Sequence, residues 1–182
     1  RQTVSINMCI NINSALFVTT ILIFILIHPI SSDNGTNPDI CNSIDIRNSV
    51  ENFHKLKHCT VVEGSVQIVL IDNGVPKDYE NLSFPNLKEI TDYLLLYQAF
   101  GLQSVGKLFP NLSVIRGKKL FHDYALVVYE MFQLQELALN NLTTIVRGAV
   151  RIEKNHNLCF SETIDWDLIA PFGTGTNYIK VI

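Results

Sequence analysis

The chain has 182 residues, 47% of them hydrophobic, which is enough for one domain with a sizeable core. Its net charge of -3 offers no basic footprint and speaks against nucleic acid as a partner. His54, His58, His122 and His156 do not stand at metal-ligand spacing from the cysteines, and Gly173-Thr174-Gly175 lacks the helix and lysine of a phosphate loop, so no enzyme, metal or cofactor is expected.

Residues 15–27, ALFVTTILIFILI, form an apolar core of signal-peptide length that is short for a membrane span. His28-Pro29 and the small residues Ser31 and Ser32 then supply a cleavage region. With Met8 as the expected start, residues 1–7 are upstream sequence and residues 1–32 stand outside the fold; the alternative is an uncleaved anchor. Residues 33–40 are a polar lead-in with Gly and Pro. Four sequons, at Asn34, Asn81, Asn111 and Asn141, agree with export and mark candidate N-glycosylation sites.

Cys9 falls in the leader. Cys41 and Cys59 flank a short segment and can close it as a disulfide, worth on the order of 3 kcal/mol. Cys159 is left over, either as a free thiol or with a partner beyond Ile182. The apolar, uncapped run 178–182 favours the second and predicts a fragment of a longer protein, truncated near the end of a domain over residues 41–182.

Asn48 and Glu51 stand at capping-box distance ahead of Val50, Phe53 and Leu56, which predicts a short amphipathic helix over 49–57 plugging one end of the core. Short apolar runs then recur at 66–71, 93–97, 125–129 and 150–153, each after a lesser run at 61–62, 87–90, 114–115 and 142–145. The string FPNL occurs at Phe84 and Phe109, 25 residues apart, in the range of strand solenoids. Gly64, Gly117 and Gly148 fall at corners between strands. Because the insertions differ in length, the fold class is mostly β: an irregular right-handed β-helix, leucine-rich-repeat-like, capped by the short N-terminal helix.

Alternation places Val66, Ile68, Leu70, Leu94, Leu96, Leu126, Val128, Val150 and Ile152 inward. It places Gln67, Val69, Ile71, Tyr93, Leu95, Tyr97, Ala125, Val127, Tyr129, Arg151 and Glu153 outward. The outward set is an apolar patch with a charged rim, which is either a binding face or a face covered by a further domain. Trp166 is expected to seal the last turn, and His122 is a candidate pH-sensitive group beside the patch.

Long collinear motifs over about residues 40–180 resemble the first ligand-binding domain, L1, of the insulin and insulin-like growth factor receptor family. They include Cys41-x-x-Ile44-Asp45-Ile46-Arg47-Asn48, Cys59-Thr60-Val61-Val62-Glu63-Gly64 and Asp92-Tyr93-Leu94-Leu95-Leu96. Phe109-Pro110-Asn111-Leu112, Tyr124-Ala125-Leu126-Val127 and Arg151-Ile152-Glu153-Lys154-Asn155 continue the likeness. Epidermal growth factor receptors share the fold, but the Ile44–Asn48 and Asp92–Leu96 stretches look like the insulin branch.

The resemblance implies an extracellular domain that binds insulin-like peptide hormones on its central sheet, together with a helical segment from the C-terminal end of the receptor's α-chain. The implied contacts are Asp45, Arg47, Asn48, Gln67, Val69, Leu70, Tyr97, Phe121, Tyr124, Val127, Tyr129, Glu130, Arg151, Glu153 and Lys154. It also implies a receptor dimer, a partner for Cys159 just past Ile182, and cysteine-rich, fibronectin-type, transmembrane and tyrosine kinase regions beyond. The sequence departs from the family pattern at Asp72, where an aromatic is usual, and at Phe121-His122-Asp123-Tyr124, where Phe-Phe-Asn-Tyr is common. These carboxylates point to an invertebrate insulin-like peptide as ligand. A secreted decoy that sequesters such peptides, and an adhesive solenoid without hormone ligand, are the alternative functions.

Overall fold

A computed structural model describes residues 39–180. The expected leader, with Cys9, the Asn34 sequon and most of the lead-in, lies outside the described residues, as does the expected partner of Cys159 past Ile182.

The long strand β2, Val61–Ile71, joins two arms of one parallel sheet. Its first residues pair with β3 (Glu89–Ile90), followed by β5 (Val114–Ile115) and β7 (Thr144–Ile145). Its second half pairs with β4 (Leu94–Ala99), then β6 (Tyr124–Tyr129), β8 (Ala149–Glu153) and β9 (Tyr178–Lys180). On its other side β1 (Ile40–Arg47) runs along both halves. Each turn of the solenoid thus contributes one short and one longer rung, as expected from the sequence.

The bend between the arms is made at Gly64, φ 136°, where an added Cβ would lie 2.0 Å from Ser43 Oγ. Thr91 Oγ1 accepts the Gly64 N–H at 2.9 Å and Ser43 Oγ accepts that of Ser65 at 3.1 Å, so the amides freed by the bend are satisfied. Gly117 and Gly148 make the equivalent corners in later turns.

Parallel register stacks like on like. Ile46, Ile68, Leu96, Val128 and Ile152 form one inward column and Ile44, Val66, Leu94, Leu126 and Val150 a second. Val62, Ile90, Ile115 and Ile145 form a third on the short arm. All are buried. Phe53, Phe84 and Phe109 close the remaining side, with Phe53–Phe84 and Phe84–Phe109 centroids 5.9 and 6.2 Å apart, so the repeated FPNL places its aromatics in contact. Trp166, in the short helix Trp166–Ile169, is buried and donates through Nε1 to the Ser161 carbonyl, sealing the last turn as expected.

Three local expectations are corrected. The expected N-terminal helix is present as a 3-10 helix, Val50–Leu56, that buries Phe53 and Leu56. Its cap is Ser49, whose Oγ accepts from Glu51 N at 3.2 Å, whereas Asn48 sits at φ 65° before it. Leu70, expected inward, is half-buried on the outer side, while Ile71, expected outward, is in the main core. The cause is φ 54° at Leu70, which breaks the two-residue alternation. Ala125, expected outward, also belongs to the core, because the β6–β8 register shifts between Tyr124 and Leu126.

Candidate ligand-binding face

The outer side of the long arm is ordered into rows across the strands. Asp45, Gln67, Leu95, Val127, Arg151 and Tyr178 are successive register partners, and so are Arg47, Val69, Tyr97, Tyr129, Glu153 and Lys180. A third row follows one residue later, at the corner where the strands end. Asn48, Leu70, Gln98, Glu130 and Lys154 all have positive φ, between 47° and 65°. A non-glycine residue in that conformation costs about 1–2 kcal/mol, and cross-turn bonds such as Glu130 N to Glu153 O at 3.2 Å help hold it.

The aliphatic residues in the middle of this face, expected to be exposed, are covered. Val69, Leu95 and Val127 are 4%, 7% and 3% exposed, forming a small second core under Tyr93, Tyr97, Tyr124 and Tyr129. Tyrosine serves here because its ring covers the aliphatic floor while its hydroxyl can take a hydrogen-bond partner. Gln67 Nε2 donates to Tyr93 Oη at 2.9 Å, and Tyr93 packs against Phe121 with centroids 5.8 Å apart.

Phe121 is brought to this face by a tight turn. Phe121 and Tyr124 exchange both main-chain hydrogen bonds, at 2.9 and 3.0 Å, and His122 between them takes φ 55°. Phe121 and His122 meet edge to face at 4.9 Å. The turn walls a hollow of about 560 Å³, floored by Leu95 and Val127 and bounded by Tyr97, Phe121, Tyr129 and Arg151. Asp123 also lines it; Asp72, exposed just past β2, does not.

Charge frames the tyrosines. The Arg151 guanidinium lies 5.6 Å from the ring centroids of Tyr124 and Tyr178 and 5.9 Å from that of Tyr129. Its hydrogen bond to Glu153, 2.6 Å from Nη2, raises its pKa further. Lys154 Nζ lies 2.6 Å from Tyr129 Oη, 3.1 Å from Glu130 Oε1 and 4.9 Å from the Tyr129 centroid. These bonds, that to Tyr129 foremost, raise the Lys154 pKa. At Glu130 desolvation opposes ionisation, but hydrogen bonds from Lys154, Gln98 and Tyr129 and the Lys154 charge outweigh it and lower the pKa. Asp45 and Arg47 pair at 3.2 Å on the exposed first strand.

All fifteen residues named from the resemblance therefore stand on this face, in its three rows or on the Phe121–Tyr124 turn. That set omits Tyr93, Leu95, Gln98, Tyr178 and Lys180. Alternation marks Tyr93 and Leu95 as outward, and Gln98 follows Tyr97 just as Glu130 follows Tyr129. Only register adds the residues of β9.

The described residues thus form a disulfide-closed parallel solenoid with a tyrosine-rich, charge-framed sheet face. Among the described residues no group of His, Cys, Asp and Glu could hold a metal ion. Residues 58–170 match the Receptor L domain family. The chain is 56% identical over 140 residues to the insulin-like peptide receptor of Branchiostoma lanceolatum and 54% identical over 139 residues to a putative molluscan insulin-related peptide(s) receptor of Lymnaea stagnalis. It is 56% identical over 126 residues to the insulin-like receptor of Drosophila melanogaster. These matches cover 77%, 76% and 69% of the chain but only 10%, 8% and 6% of the relatives. The chain belongs to the Receptor L domain family and is homologous to the L1 region of insulin and insulin-like growth factor receptors. Its place in that family makes it an extracellular domain.

Proposed function

We propose that this domain binds an insulin-like peptide hormone on the outer face of its long arm, as the first hormone-contacting module of a receptor. The carrying observation is the register that aligns Tyr97 with Tyr129 and Leu95 with Val127 beside the protruding Phe121, 36% exposed. Tyrosine and phenylalanine over a dry floor, ringed by Arg151, Glu153, Glu130 and Lys154, match an amphipathic helical ligand. In this reading Val69 and Val127 support the rings from below, and the three rows with Phe121 and Tyr124 are the contact set. Asp123 in the hollow favours a ligand with a cationic group at that edge, an invertebrate-type peptide rather than vertebrate insulin.

In the complete receptor the same face holds the helical segment from the C-terminal end of the α-chain, the receptor is a dimer, and hormone binding drives a tyrosine kinase. Cys159 is not a free thiol; in the receptor its partner lies past Ile182, ahead of a cysteine-rich region. The test is calorimetric titration with an insulin-like peptide in the presence of that helical segment. Phe121→Ala should weaken binding by about 2 kcal/mol, roughly 30-fold, while Lys107→Ala, in the short helix Val105–Leu108, should bind like the wild type. Equal affinities for the wild type and Phe121→Ala reject this placement.

A further inference from the structure

A second concavity, of about 740 Å³, shares no lining residue with the Phe121 hollow and lies between the 3-10 helix and the segment that follows β2. Val50, Leu82 and Phe84 give it an apolar floor, and Asn48, Asn73 and Asp78 a polar rim. Asn81, first residue of the sequon Asn81-Leu82-Ser83, stands exposed in its wall.

The three sequons among the described residues differ in what their amide nitrogens do. Asn111 Nδ2 donates to the Pro85 carbonyl at 2.8 Å, and Asn141 Nδ2 donates to the Pro110 carbonyl at 2.7 Å and lies 3.5 Å from Asn111 Oδ1. These two form a rung-to-rung amide ladder. The Asn81 side chain makes no hydrogen bond among the described residues.

We propose that Asn81 carries an N-linked glycan whose first sugars are seated in this cleft. Attachment is the displacement, by Asn81 Nδ2, of the diphosphate from the anomeric carbon of a lipid-linked oligosaccharide. The C–N bond forms as the C–O bond to the diphosphate breaks, and the amide nitrogen gives up one proton. An N-acetylglucosamine residue suits the cleft chemically: its C–H face and acetyl methyl meet Val50, Leu82 and Phe84, and its hydroxyls meet Asn48, Asn73 and Asp78. The seated sugar ties the 3-10 helix to the segment after β2, and through Asn48 it buttresses the start of the corner row.

The experiment uses the full-length receptor purified from insect-cell membranes, with glycopeptide mass spectrometry and hydrogen exchange. The expected result is occupancy at Asn81 and exchange of residues 50–57 that is at least threefold faster in Asn81→Gln and in Ser83→Ala. Ser83→Thr, which keeps the sequon, and Asn141→Gln should leave that segment unchanged. Trimming to a single N-acetylglucosamine should preserve the protection. An unmodified Asn81, or an occupied Asn81 with exchange of residues 50–57 that does not respond to its loss, overturns the proposal. Neither readout involves hormone, so it stands or falls apart from the binding face.

Discussion

Tyr97 and Tyr129 face each other directly across the β4–β6 ladder, their ring centroids 5.8 Å apart and their planes inclined by 36°. Cross-strand aromatic pairs of this kind contribute about 0.5–1 kcal/mol beyond their burial. Single Tyr97→Ala and Tyr129→Ala variants and the double variant, unfolded in urea, should therefore show a coupling of that size. Strictly additive losses would mean that the rings only share the floor beneath them.

The Glu130 carboxylate links that pair to Lys154 and Gln98. Its folded pKa is lowered, so the stability it contributes is present above the ordinary carboxylate value of 4.5 and is lost as pH falls through the lower folded value. The Lys154 pKa is raised, so its contribution is whole below 10.5 and is lost only in strong alkali. Urea midpoints measured from pH 7 to pH 3 should fall less steeply in Glu130→Gln than in the wild type. An unchanged acid slope would show that the carboxylate gains nothing from its partners.

The Cys41–Cys59 bridge closes an 18-residue separation and ties β1 to the end of the 3-10 helix. A Cys41→Ser, Cys59→Ser double variant should lose on the order of 3 kcal/mol, which for a domain of this size lowers Tm by roughly 6–12 °C. Calorimetry checks it. A loss confined to the exchange rates of residues 40–59 would place the effect in local fraying.

Gly117→Ala should be among the most damaging single-methyl changes. The residue has φ 66°, and a Cβ would meet the Arg147 carbonyl oxygen at 2.0 Å. Arg147 Nη1 in turn donates to the Gly117 and Lys118 carbonyls, at 3.2 and 2.9 Å, so neither turn yields freely. About 3 kcal/mol is expected, read as a shift in urea midpoint. Gly175→Ala, with φ 79° but open space around it, should cost about 1 kcal/mol.

The sequence by itself determined the repeating unit and most of the faces. Alternation in 94–97 and 150–153 sorts inward from outward because side-chain direction along a strand is a local property with a period of two. The glycine corners, the Cys41–Cys59 bridge and the short helical plug were legible for the same reason, since each depends on residues close in sequence. What only the tertiary structure decided is what meets across turns. Gln98, Glu130 and Lys154 are 32 and 24 residues apart, joined by loops of unequal length, and only the parallel register brings them to one corner. That register also fixes the outward and inward places of Leu70 and Ala125, because a positive φ or a register shift resets a local pattern without altering composition. The burial of Val69 and Val127 beneath tyrosines from neighbouring rungs likewise belongs to the assembled sheet, where each strand supplies the cover for the next.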